Sequence, residues 1–224
     1  MNRKNDPIKG LYAITPDEAD TAELLRKVRL ALSGGARILQ YRNKAATAAL
    51  RLEQASALRG LTREFSVHLI INDDALLARQ VDADGVHLGG NDGSLTTARA
   101  QLGDVKLIGV SCYNRLDLAY EAVHQGADYL AFGSFFASTV KPHAVTAPLG
   151  LLRQARREIE LPLVAIGGIT EKNGAQLLEA GADALAVISA VFDANDIQNA
   201  VRQFANLDYP EHSPIDGTKQ HDLA

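Results

Sequence analysis

Eight short apolar runs recur along this chain at intervals that a helix fills, and that rhythm constrains the fold more than any single residue. The runs fall at residues 11–15, 37–41, 67–72, 85–88, 106–111, 129–133, 163–166 and 184–188. They are rich in Val, Ile and Leu and mostly lack polar alternation. Strands buried on both faces read this way, and parallel strands covered by helices have that property. Between the runs lie amphipathic segments. Residues 22–32 set Leu24, Leu25, Val28 and Leu32 on one side, and residues 46–61 and 116–124 behave alike. Eight strands, each followed by a helix, predict one α/β domain, a (β/α)8 barrel of the TIM type. The alternative is an open doubly wound sheet. It usually carries a Gly-rich loop after its first strand, where this chain has Thr15-Pro16-Asp17.

A weak internal repeat accompanies the rhythm. Gly35-Ala36-Arg37, Gly126-Ala127-Asp128 and Gly181-Ala182-Asp183 each stand between a helical segment and a strand, with Ala83-Asp84-Gly85 a looser copy. Glycine accepts the positive φ that ends a helix. The chain's 224 residues suit a single domain, expected to span 1–208. Residues 209–224, polar with Pro, Gly, Ser and Asp, are expected to form a flexible tail.

Composition narrows the function. A formal net charge of −4 does not suit a surface that wraps nucleic acid. The absence of Trp argues against stacking platforms for single strands. A single cysteine, Cys112, leaves no intrachain disulfide framework and no thiolate cluster. No apolar run approaches a membrane span, and no apolar segment follows the charged N-terminus. The expected location is the cytoplasm, with small-molecule substrates, no nucleic-acid or membrane partner, and a homo-oligomer open.

Barrel enzymes carry their chemistry at the C-terminal ends of strands. Strand 2 ends in Gln40-Tyr41-Arg42-Asn43-Lys44. A strand continuing that far would aim Gln40, Arg42 and Lys44 the same way, suiting a phosphate or pyrophosphate; the bland reading is a solvated charge cluster. Strand 3 ends in Asn72-Asp73-Asp74. Asp74 is expected to cap the next helix, while Asp73 is either a cap or a magnesium ligand. Strand 4 leads to His87, read as a hydrogen-bonded core histidine, and to Asp92, read as a cap or a second metal carboxylate. Ser111 could offer a hydroxyl at the end of strand 5, with no base evident beside it. The longest connection, 134–147, holds Ser138, Thr139 and Lys141 and reads as a phosphate-contacting cover or an ordinary loop. Gly167-Gly168 after strand 7 and Ile188-Ser189 after strand 8 stand where barrels build a phosphate nest.

In order along the chain, Q-Y-R-N-K, N-D-D, G-V-H-L-G, G-V-S, a strand-6 loop with lysine, A-I-G-G-I-T and V-I-S-A resemble the thiamine phosphate synthase family. The resemblance spans nearly the whole barrel. It implies a Mg2+-dependent transferase joining hydroxymethylpyrimidine diphosphate to a thiazole phosphate. Gln40, Arg42, Lys44 and Asn72, with Tyr41 and Asn43 beside them, would bind the pyrimidine diphosphate. Asp73 and Asp92 would hold magnesium, and Ser111 would contact the pyrimidine. Ser138, Thr139, Val140, Gly168, Ile188 and Ser189 would bind the thiazole phosphate. Arg42, Lys44 and Lys141 would face the departing pyrophosphate. The family has glutamate where this chain has Asn43, and T-P-T-K where it has Ser138-Thr139-Val140-Lys141. Other readings are a thiazole tautomerase-like protein, a non-catalytic phosphate-binding barrel, and a phosphosugar epimerase or isomerase.

Overall fold

The computed structural model describes residues 8–89, 93–137 and 146–210. Its strands are β1 (Gly10–Ile14), β2 (Ile38–Tyr41), β3 (His68–Asn72), β4 (Gly85–Leu88), β5 (Leu107–Tyr113), β6 (Tyr129–Phe132), β7 (Leu163–Ile166) and β8 (Ala184–Val187). All pair in parallel, and β8 returns to β1, closing the ring. The eight expected runs are therefore the eight strands of a closed barrel, and the open sheet is excluded. The helices are α1 (Thr21–Gly34), α2 (Ala48–Glu64), α3 (Ala75–Gln80), α4 (Leu95–Leu102), α5 (Leu116–His124), α6 (Leu149–Glu158), α7 (Ala175–Glu179), α8 (Ser189–Phe192) and α9 (Ile197–Ala205).

Alternation along each strand sorts the apolar residues into two layers. Tyr12, Ile38, Ile70, Leu107, Tyr129 and Val164 pack inside the ring. Leu11, Leu39, Leu69, Ile71, Val86 and Leu163 face outward and meet the apolar stripes of the helices, such as Leu24 and Val28 of α1. Both faces of the sheet are dry, which is why the runs show no polar alternation. Near the C-terminus, Tyr209 still packs against the outer layer. Residues 211–224, most of the expected tail, lie outside the described residues.

The internal repeat turns out to be electrostatic. Asp84, Asp128 and Asp183 stand at the starts of β4, β6 and β8. Each accepts a backbone N–H from the start of the preceding strand: Leu69 at 2.8 Å, Ile108 at 2.8 Å and Leu163 at 2.7 Å. Each also takes an arginine from the helix that leads into that preceding strand: Arg59 of α2 at 2.8 Å, Arg99 of α4 at 2.6 Å and Arg156 of α6 at 3.2 Å. The device recurs every two strand–helix units, three times. In the remaining quarter Arg37 stands where the aspartate would, with its stem against Gly10. These pairs close the lower rim and leave the opposite rim to the site.

Candidate functional site

The parity that sorts the core also selects what faces the mouth. Gln40, Asn72, His87 and Ser111 share the inward parity of Ile38, Ile70, Gly85 and Gly109 on their strands. Gln40 is buried, and its Nε2 donates to the Tyr12 hydroxyl at 2.8 Å. Ser111 Oγ lies 2.9 Å from His87 Nε2. The base-type neighbour that the sequence did not reveal beside Ser111 is therefore His87, 24 positions away and brought alongside by the β4–β5 pairing. His87 is also the buried, hydrogen-bonded histidine expected, since its Nδ1 lies 3.1 Å from the Tyr129 hydroxyl.

The strand-2 segment corrects the parity argument. β2 stops at Tyr41, so strand alternation does not aim Arg42 and Lys44. The first connection does that instead. Thr15 Oγ1 accepts from Arg42 N–H at 2.9 Å and donates to Arg42 C=O at 2.8 Å. Asp17 Oδ1 accepts from Lys44 N–H at 2.8 Å and pairs with the Arg42 guanidinium at 3.3 Å. Two expected binding residues have their polar groups turned elsewhere. Tyr41 has the opposite parity to Gln40, and its hydroxyl donates to Gln54 Oε1 of α2 at 2.8 Å. Burial pushes that phenol up to about 12. The Asn43 amide donates to Glu18 C=O and Gln54 Oε1, and its oxygen accepts from Ala46 N–H. In place of a charged glutamate, Asn43 ties the loop to the helix behind it.

Asp73 sits one residue past β3 with φ +63°, a conformation aspartate tolerates better than most side chains. Its N–H donates to His87 C=O at 2.8 Å. Its carboxylate accepts from the Asn72 amide and lies 3.7 Å from Lys44 Nζ. Asp74 is the expected cap, accepting from Leu77 N–H at 2.9 Å. A cavity of about 430 Å³ gathers Arg42, Lys44, Asn72 and Asp73. Arg51 of α2 and Ser94 and Thr97 at the start of α4 also line it. The cap weighed for Asp92 belongs to Ser94, which accepts from Thr97 N–H at 3.1 Å.

Asp92, Ser138, Thr139, Val140 and Lys141 lie outside the described residues. Among the described residues no group of three His, Cys, Asp or Glu side chains could enclose a metal. Asp73 nevertheless fits one. Magnesium takes one or two carboxylates and completes its shell with substrate phosphate and water, so a single hard oxygen donor in a cavity that also holds Arg42 and Lys44 suits it.

The opposite arc is built from backbone. In a ring of eight, β7 stands across from β3 and β8 across from β4. Gly167 and Gly168 both have positive φ, +103° and +62°. A Cβ on Gly168 would come within 2.3 Å of Ala137 C=O, so only glycine lets the start of the β6–α6 connection lie against this turn. Asn173 locks the turn, donating to Gly168 C=O at 3.1 Å and accepting from Thr170 N–H at 2.8 Å. Ile188 precedes the four-residue helix that begins at Ser189. Asp17 and Arg51 escaped the sequence reading: the connection after strand 1 was read only for a Gly-rich loop, and residues 46–61 only for their apolar stripe.

Residues 11–191 match the family model described as thiamine monophosphate synthase. A thiamine-phosphate synthase of Methylobacillus flagellatus is 54% identical over 201 residues, covering 90% of this chain and 96% of the relative. One from Azoarcus sp. is 55% identical over 189 residues, covering 84% of this chain and 92% of the relative. Among solved structures, thiamine phosphate pyrophosphorylase from Pyrococcus furiosus superposes with a TM-score of 0.79 at 37% identity, over 91% of this chain and 95% of that one. Orotidine 5'-phosphate decarboxylase from Pyrococcus horikoshii shares the fold alone, at 14% identity, a TM-score of 0.62, and coverage of 86% of this chain and 97% of that one.

Proposed function

Because the chain belongs to the thiamine monophosphate synthase family, we propose that its mouth receives two substrates on opposite arcs, the diphosphate over β2–β4 and the thiazole phosphate over β7–β8. The enzyme joins hydroxymethylpyrimidine diphosphate to a thiazole phosphate, giving thiamine phosphate and pyrophosphate in thiamine biosynthesis. The observation that carries the assignment of arcs is the cavity that gathers Arg42, Lys44, Asn72 and Asp73.

Arg42 and Lys44 hold the diphosphate and stabilise negative charge as it departs. Arg42 does so with a planar fork, Lys44 as a point charge. Asp73, with Asp92, would hold Mg2+. When bound, that ion supplies positive charge at the leaving oxygens. Gln40, Asn72 and Ser111 face the pyrimidine. The glycine turn at Gly168 and the residues Ile188 and Ser189 would take the thiazole phosphate on backbone groups. Ser138, Thr139, Val140 and Lys141 match the family's thiazole-phosphate and pyrophosphate contacts. Tyr41 and Asn43 act from behind, fixing the loop that carries Arg42 and Lys44. The carbon–oxygen bond to the diphosphate breaks first, leaving a pyrimidine methylene cation that the thiazole nitrogen then attacks. Such a cation survives only with water excluded. Both substrates are charged phosphates, and we place the enzyme in the cytoplasm on that ground.

A pyrophosphate-release assay with both heterocycles tests this. Turnover should require each heterocycle and a divalent cation, with thiamine phosphate formed one for one with pyrophosphate. Full activity in chelator would remove the metal from the scheme.

A further inference from the structure

A continuous hydrogen-bond chain crosses the barrel interior beneath the mouth. Gln40 Nε2 donates to the Tyr12 hydroxyl at 2.8 Å. The Tyr12 and Tyr129 hydroxyls are 2.9 Å apart. The Tyr129 hydroxyl is 3.1 Å from His87 Nδ1, and His87 Nε2 is 2.9 Å from Ser111 Oγ. The chain is rigidly seated. A Cβ on Gly109 would stand 2.0 Å from the Tyr129 ring, which stacks against His87 at a centroid distance of 5.6 Å. Burial raises both phenols above their ordinary pKa, so each stays neutral and owns one proton.

Counting those protons gives the chain a direction. An amide N–H cannot accept, so Tyr12 accepts from Gln40 and its own proton goes to Tyr129. The opposite arrangement would strand a buried hydroxyl proton, which is costly. Tyr129 therefore passes its proton to His87 Nδ1. A neutral imidazole that accepts at Nδ1 carries its proton at Nε2. His87 then donates to Ser111 Oγ, and the Ser111 proton is left for the mouth.

We propose that this one-way chain makes Ser111 a hydrogen-bond donor to a lone pair of the bound pyrimidine diphosphate and denies it the base a nucleophile needs. Tyr12, Tyr129 and His87 are then positioning residues. The inference rests on the reading that the pyrimidine diphosphate binds at this mouth. Reversed, the same five side chains would present the serine–histidine pair of covalent catalysis. The orientation of the Gln40 amide, far from the reacting atoms, separates the two outcomes.

Histidine ring 15N spectra of the labelled whole protein test the inference. The chain has six histidines, and His87 is assigned as the signal lost in His87→Gln. The free wild-type protein should show His87 protonated at Nε2, and protonation at Nδ1 overturns the proposal. Tyr129→Phe keeps the ring but removes the donor to Nδ1. It should give a mixture of His87 tautomers and raise KM for the pyrimidine diphosphate on the order of tenfold, the worth of one hydrogen bond, with KM for the thiazole phosphate unchanged. Tyr12→Phe should act in the same direction more weakly, and carries the test if Tyr129→Phe does not fold. If both variants keep the wild-type tautomer and KM, the chain is only scaffolding and the proposal falls. The ring state is read without substrate. A mistaken substrate reading shows itself separately, as a His87 signal that does not move when the pyrimidine diphosphate is added.

Discussion

At the lower rim, Arg59, Arg99 and Arg156 reach Asp84, Asp128 and Asp183 at 2.8, 2.6 and 3.2 Å, with all three aspartates also accepting a strand N–H. At the mouth, Arg42 and Lys44 meet Asp17 and Asp73 at 3.3 and 3.7 Å, and the Lys44 side chain is 56% exposed. The lower pairs are buried on both sides and repeated. The upper pairs each have one well-exposed member and are irregular. Charges at one end answer each other and lock strands together. Charges at the other are held near each other without being neutralised, as a site for a polyanion and its counter-ion needs. On the function proposed above, the same residue types serve stability in one place and binding in the other, and burial makes the difference.

The sharpest way to break this comparison is to show that the lower pairs do not matter for folding. Arg59→Met takes the guanidinium away from the buried Asp84 carboxylate. It should cost about 3–5 kcal/mol of stability in urea unfolding while leaving turnover per folded molecule as in the wild type. A variant that loses activity but not stability would erase the division of labour. The counterpart above is Asp73→Asn, which keeps the side-chain shape and the tolerance of positive φ but removes the charge. We expect kcat/KM to fall about a hundredfold or more with Tm unchanged. Near-normal turnover at limiting magnesium would remove Asp73 from the metal site.

Much of the barrel was legible because its signals are local. Apolar runs, the Asp74 cap and the helical stripes all lie within a few residues of the feature they report. Parity carried the inward direction of Gln40, and Ser111, read only from its place at the end of strand 5, shares it. Parity failed where the strand stopped short, so that Arg42 and Lys44 are aimed by Thr15 and Asp17 across a turn. Contacts between distant positions left no local trace. Tyr12 meets Tyr129 across 117 positions, inside the closed ring, and His87 meets Ser111 across 24, through the β4–β5 pairing. The aspartate repeat was visible as Gly-Ala-Asp, but its arginine partners lie within helices, two of them in a last turn, where any arginine looks like surface.

Two smaller effects sharpen the picture of the mouth. Arg42→Lys replaces a fork with a point charge and should weaken binding of the pyrimidine diphosphate about tenfold in direct titration, the worth of one charge-assisted hydrogen bond. Equal affinity would mean that Arg42 only pairs with Asp17. That pairing is itself testable through Asp17→Asn. The amide oxygen can still accept from Lys44 N–H, so the loop keeps its shape, while the carboxylate that competes for the Arg42 guanidinium is gone. An exposed ion pair of this kind contributes about 0.2–1 kcal/mol, so the free guanidinium should bind inorganic pyrophosphate a few-fold more tightly, and the gain should shrink as salt rises. Weaker binding instead would show that Asp17 aims Arg42 rather than restraining it, and the mouth would then depend on a fixed ion pair as the lower rim does.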